Sequence, residues 1–144
     1  MLRAIVREAN ILDTPLITEL SEQLGYRVLQ DDIKTRLENL SQDNCHVIYV
    51  AEVNNIIVGW VHVSIYKTLL SEKTATILGL VVDQTFSRQG IGSALVRYAE
   101  EWAKNCKCQR IMLKSNMIRK DAHSFYKEIE YEIVKSQYVF AKRF

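Results

Sequence analysis

Apolar residues recur along this chain at two spacings, and the switches between them predict its elements. Leu2 to Ala9 alternates loosely and predicts a first strand. Asp13 or Thr14 can cap a helix with Pro15 in its first turn, where the missing amide hydrogen costs nothing. Leu16, Ile17, Leu20 and Leu24 then recur at helical spacing until Gly25 ends the segment. Gln30 to Leu40 predicts a second helix, with Ile33, Leu37 and Leu40 on one face. His46 to Val53 and Ile56 to Tyr66 are rich in β-branched and aromatic residues, and the turn signal Asn54-Asn55 joins them as a hairpin. Thr74 to Asp83 is a third such run. A helix from Ile91 to about Asn105, a strand from Gln109 to Lys114 and a helix from Ile118 to Glu130 follow. Tyr131 to Lys142 predicts two short strands broken near Lys135-Ser136. The order β-α-α-β-β-β-α-β-α-β-β implies an α/β fold with a mixed, largely antiparallel sheet, not the strict alternation of a doubly wound one.

Composition narrows the class. A chain of 144 residues is sized for one domain, 1–144, with a core that needs no staples. A hydrophobic fraction of 48% and a charged fraction of 25% are those of a soluble globular protein. A formal charge of +2 is too small to predict a nucleic-acid footprint. The N-terminus has no long apolar stretch and no run reaches ~18 apolar residues, so the expectation is a cytoplasmic protein without a membrane anchor. Cys45, Cys106 and Cys108 are an odd number, and Cys106-Lys107-Cys108 lacks the two-residue spacer of zinc knuckles, which reads as free thiols in a reducing compartment. His and carboxylates are scattered, so no metal site is expected.

The stretch VVDQTFSRQGIGSALVRYAEEWAKN, Val81 to Asn105, carries the chemistry. Its helix offers Ile91, Leu95, Tyr98, Ala99 and Trp102 on one face for packing on a sheet. Just before it, two of the chain's 5 glycines, Gly90 and Gly92, sit where the helix starts. Either they permit a tight strand-to-helix turn, or they let a bulky anion approach the unpaired amides and positive dipole end of the helix. A P-loop is excluded because no G-x-x-x-x-G-K-[ST] occurs. A dinucleotide fingerprint fails because Leu95 stands at its third glycine and no acid ends the next strand, Arg110-Ile-Met-Leu-Lys114.

LVVDQTFSRQGIGSALV resembles the acetyl-CoA-binding segment of the GNAT superfamily of N-acetyltransferases, with its core [QR]-x-x-G-x-[GA]. LKSNMIRKDAHSFYKEIEYE resembles that superfamily's fifth strand, loop and following helix, with the pattern A-H-x-F-Y-x-x-x-x-[YF]. IVREAN and IIVGWVHV occupy the places expected for the first strand and the hairpin, so the resemblance covers essentially the whole chain. It implies a twisted sheet whose fourth and fifth strands splay apart, flanked by about four helices, with the thioester in the gap. Leu80, Val81 and Val82 would offer backbone groups to the pantetheine arm. The amides of Arg88, Gln89, Gly90, Ile91, Gly92 and Ser93 would cradle the pyrophosphate. Asn116 would help hold the cofactor, Phe125 would pack beside it, and Tyr126 would act as general acid for the leaving thiolate. The Leu80 amide would polarise the thioester carbonyl. On the residues alone, without the resemblance, Tyr126 reads as an amphipathic-helix residue with its hydroxyl at the surface.

Two departures stand out. Ser87 occupies the first position of the core motif, with Arg88 one residue late. The glutamate that serves many members as general base is absent, since Thr76 and Leu78 stand at its two usual positions. His62, in alternation with Trp60 and Ser64, could face the substrate cleft or be an ordinary sheet histidine. His123 reads as structural, His46 carries no signal, and Glu52 reads as a solvated face residue. The resemblance implies direct acetyl transfer from acetyl-CoA to a primary amine of a small molecule or peptide in a ternary complex. The alternative is a non-catalytic acyl-CoA-binding sensor, favoured by the missing glutamate. Acceptor choice falls to Leu24–Leu40 and the Tyr66–Lys73 loop, where Asp31, Asp32, Glu38 and Glu72 could receive a cation. SEQLGYRVLQDD resembles the corresponding segment of small stand-alone bacterial members, including some of aminoglycoside-modifying type. Apolar strands near Tyr138-Val-Phe140 suggest a homodimer.

Overall fold

β-branched runs become strands here because neighbouring runs can satisfy one another's backbone groups. A computed structural model describes residues 3–115 and 117–144. The chain divides into two compact units, Met1–Lys114 and Ser115–Phe144.

The first unit holds one five-stranded sheet: β1 (Ile5–Glu8), β2 (His46–Val53), β3 (Ile56–Tyr66), β4 (Thr74–Val82) and β5 (Arg110–Leu113), ordered β1-β2-β3-β4-β5. β1 to β4 pair antiparallel, and β4 pairs with β5 in parallel. The β2–β3 turn is made by Asn54 and Asn55 at φ 52° and 64°, a left-handed pair that asparagine tolerates better than most residues. Helices α1 (Thr14–Gln23) and α2 (Gln30–Leu40) bury Ile17, Leu20 and Leu37 in one cluster with Val50, Ile57 and Val81 of the sheet. Helix α3 (Ile91–Asn105) buries Ile91, Leu95, Val96, Ala99 and Ala103. Its buried face therefore departs from the expected one: Tyr98 is 46% exposed at the margin, where its ring meets Tyr49 edge-on at 5.5 Å, while Val96 and Ala103 face inward. An apolar stripe does not mark which of its edges a flat sheet will cover.

The helix entry at α1 also differs from expectation. Asn10 caps a single 3-10 turn, Ile11–Asp13, and Asp13, at the N-cap of α1, makes no side-chain cap bond. Its carboxylate instead accepts from the Asn10 amide and, through both oxygens, from Arg7 at 2.8 Å. Arg7 also reaches Glu52 at 2.7 Å, so Glu52 is an ion-pair partner and not a solvated face residue.

The second unit carries one helix, α4 (Lys120–Glu128), two residues shorter at each end than the sequence pattern suggests. The two strands expected in Tyr131–Lys142 are absent: residues 131–144 are irregular, with Tyr138, Val139 and Phe140 at 91%, 82% and 92% exposure. Among the described residues of this unit there is no other strand to take up a ladder, and alternation alone cannot hold a strand. Among the described residues, no helix is long and apolar enough to cross a membrane.

Candidate active site

The site is built on β4. Val63 pairs with Ile77 and His62 with Gly79, leaving Leu78 as the extra residue of a β-bulge, its side chain 54% exposed. A Cβ on Gly79 would sit 2.7 Å from the Trp60 ring, so only glycine lets that indole lie over the strand. The parallel ladder to β5 covers only Thr74–Ile77 against Arg110–Leu113. From residue 78 to Val82, β4 runs on without a β5 partner, which is the expected separation of the fourth and fifth strands. Leu80, Val81 and Val82 lie on this free edge, paired on their other side with Val61, Trp60 and Gly59. Val81 is buried in the core, so only its backbone is available to a ligand.

The chain then turns into α3. Asp83 accepts from the Thr85 amide and hydroxyl at 2.9 Å, and these bonds hold its carboxyl below the usual range. Arg88 at φ 60° and Gly90 at φ 81° both adopt left-handed backbone, and a Cβ on Gly90 would meet nothing within 4 Å. Gly90 thus supplies a conformation, while the space around it stays open. Its helix has no side-chain cap and no acid in its first turn. The first i→i−4 bond runs from the Ala94 amide to the Gly90 carbonyl, leaving the amides of Ile91, Gly92 and Ser93 ahead of it. Arg88 and Gln89 are exposed beside them, and Ile91 buries its side chain. A strand edge with free backbone groups leading to an uncapped helix start fits a long, anion-bearing ligand.

In the second unit, Tyr126 is half-buried, its ring 5.2 Å from Phe125 and 6.1 Å from Tyr131. Burial pushes its phenol up, against a smaller downward pull from Arg119, so it carries its proton at neutral pH. Asn116 lies outside the described residues. His123 is half-buried on α4.

Thr76, at one usual position of the missing base, has a buried hydroxyl with no hydrogen-bond partner among the described residues, and the Trp60 indole nitrogen is likewise unpartnered among them. His62 is neither isolated nor exposed: its Nε2 lies 2.9 Å from His46 Nδ1. Burial, with His46 adding to it, pushes His62 down to about 4. Sequence reading passed over His46, and counting back from the Asn54-Asn55 turn does not find it. That count sets His46 opposite Val63, and only the register shift between Ala51 and Glu52 moves it beside Ser64 and hence next to His62 on the same face. Asp31, Asp32, Glu38 and Glu72 are all exposed. Among the described residues, no cluster of three or more His, Cys, Asp or Glu could hold a metal ion.

Comparison with known proteins agrees with this architecture. A transcriptional regulator from Bacillus halodurans C-125 is 25% identical, with 97% of this chain and 100% of that chain covered and a TM-score of 0.86. An aminoglycoside N-acetyltransferase in complex with CoA is 16% identical over 99% and 97% of the two chains, with a TM-score of 0.90. A glucosamine-6-phosphate N-acetyltransferase from Arabidopsis thaliana is 24% identical over 99% of each chain, with a TM-score of 0.80. No curated protein sequence matches. The model of the acetyltransferase (GNAT) family matches residues 13–131, spanning the bulged strand, the glycine turn and α4 alike; the chain belongs to the GNAT family of acetyltransferases.

Proposed function

We propose that this protein transfers the acetyl group of acetyl-CoA to a primary amine of a small molecule or peptide, by direct attack in a ternary complex. The observation that carries this reading is the free β4 edge running from residue 78 into an uncapped α3 start. When bound, acetyl-CoA supplies an acetyl group activated as a thioester. Backbone groups of Leu80, Val81 and Val82 hold the pantetheine arm, and the Leu80 amide donates to the thioester oxygen. Amides of Arg88, Gln89, Gly90, Ile91, Gly92 and Ser93 hold the diphosphate, with the Arg88 guanidinium free to reach it, which makes Ser87 at the first motif position tolerable. Phe125 packs against the bound molecule and Asn116 helps to hold it. Tyr126, kept protonated by burial, gives its proton to the departing sulfur.

The acceptor is an amine whose cation suits the acids of the α1–α2 region and the β3–β4 loop. An aminoglycoside is one candidate, since a structural neighbour is an aminoglycoside N-acetyltransferase. The exposed Tyr138–Phe140 segment would pair with a second copy. Sedimentation at micromolar concentration should then give a dimer, and a monomer alone removes that part of the reading.

The decisive experiment combines CoA titration with a thiol-release assay over a panel of amines. We expect CoA to raise the melting temperature, and Tyr126→Phe to lower kcat by ~10²-fold or more with CoA affinity unchanged. CoA binding with no turnover of any amine would mean a sensor instead.

A further inference from the structure

The reaction needs a neutral amine, and the carboxylate that deprotonates it in many relatives is replaced by Thr76 and Leu78. We propose that His62, coupled through His46 to Asp43, takes the proton from the acceptor amine and passes it to solvent; this rests on the acetyl-transfer reading above.

Register places the parts. Thr76 pairs with Ser64, two residues from His62 on the same face of β3, and His62 pairs with Gly79, immediately before Leu80. The orphaned Thr76 hydroxyl therefore shares this face, beside the bulge, with an imidazole whose Nδ1 has no partner among the described residues. The other ring nitrogen leads away from the bulge: His62 Nε2 lies 2.9 Å from His46 Nδ1, and His46 Nε2 lies 3.9 Å from Asp43 Oδ2. His46 is 24% exposed and Asp43 49%, so the chain of groups ends in water.

One tautomer set satisfies every contact. His62 carries its proton on Nε2 and donates to His46 Nδ1; His46 carries its proton on Nε2, toward Asp43. The acceptor ammonium N–H bond then breaks to His62 Nδ1. The Nε2 proton of His62 moves to His46 Nδ1, and the Nε2 proton of His46 leaves to the Asp43 carboxylate or to water. His62 ends neutral in its other tautomer, and no charge stays in the interior. That matters, because burial and the neighbouring ring resist a cationic His62. A relay suits such a site better than a resident base. Other ionisable groups on this face are engaged elsewhere: Tyr66 on β3 donates to Met112 Sδ, Arg110 on β5 donates to Thr74 Oγ1, and Arg7 on β1 pairs with Asp13 and with Glu52 on β2. The α1 and α2 residues buried on this face, Ile17, Leu20 and Leu37, bring no charge.

Two measurements test it. In kinetics, His62→Gln keeps a donor near His46 but cannot pass a proton. Its kcat should fall ~10²-fold at pH 7 with CoA affinity unchanged, and the deficit should shrink as pH approaches the acceptor's own pKa. A kcat within twofold of wild type, while wild type turns over normally, overturns the relay and leaves the transfer reading standing. Failure of wild type to bind CoA sinks the transfer reading itself. Independently of activity, imidazole nitrogen NMR on the wild-type protein should find His62 protonated on Nε2 and neutral to about pH 5. A proton on Nδ1, or titration near the free-histidine value, overturns the proposal even if the variant does not fold.

Discussion

Arg7 shows how much one side chain can decide. It binds Asp13 at 2.8 Å and Glu52 at 2.7 Å, and the Asp13 hydrogen bond, ahead of burial, raises its own pKa further. Burial alone would push the Asp13 carboxyl up, but the Arg7 and Asn10 bonds outweigh it and hold it low. Arg7→Ala would leave a 5%-exposed carboxylate without its cation and should destabilise by ~3 kcal/mol, read from urea unfolding at pH 7. His62 acts in the opposite sense. Between about pH 6.5 and about 4 an unfolded His62 binds a proton that the folded one refuses. Stability is therefore full above pH 6.5 and falls as pH drops through that window, by up to ~3 kcal/mol. In His62→Gln this part of the slope should vanish; an unchanged slope between pH 7 and 4.5 would show that His62 titrates alike in both states.

At the scale of elements, three helices end the same way while only one says so in its sequence. Gly25, Lys107 and Glu130 all follow a helix with positive φ, at 99°, 66° and 74°. Each closes the last turn by the same pair of bonds: Gly25 to Glu22 and Tyr26 to Ser21, Lys107 to Lys104 and Cys108 to Ala103, Glu130 to Lys127 and Tyr131 to Tyr126. Gly25 could be read as a stop signal; lysine and glutamate could not, because left-handed backbone costs them ~1 kcal/mol and ordinary statistics argue against it. Lys107→Gly should recover up to ~1 kcal/mol, visible as a higher urea midpoint with an unchanged slope. Gly90 is a different case. Because its φ is 81° and the space around it is open, Gly90→Ala should strain the turn without a steric clash. We expect CoA affinity to weaken several-fold, by titration calorimetry, with the melting temperature lowered only slightly.

For the whole molecule, strands β2 and β3 and helices α2 and α3 were legible to the residue, because long periodic runs bounded by Asn-Asn, Gly and polar loops leave little choice of period. The bulge at Leu78 was not legible: no residue type there demands it, and it appears only when β3 and β4 are set in register. A second register shift, between Ala51 and Glu52 in the β2–β3 pairing, brings His46 to His62 across 16 positions of sequence. The tail failed for the converse reason. Its alternation at Tyr131–Lys142 is a property of the sequence, but a strand is a property of a pair, and the described residues of the second unit offer no second member.

What the sequence determined by itself was local and periodic: which segments are helices or strands, the uncapped glycine turn before α3, and, through two motifs in order, membership of an acetyltransferase family. What only the tertiary structure decided was relational. Where β4 parts from β5, which hydroxyl is buried without a partner, and which histidines touch are all set by register and packing between distant segments. Backbone propensity acts over a few residues and can be read from them. Contacts between strands depend on the whole sheet closing at once, and no single stretch of chain carries that information.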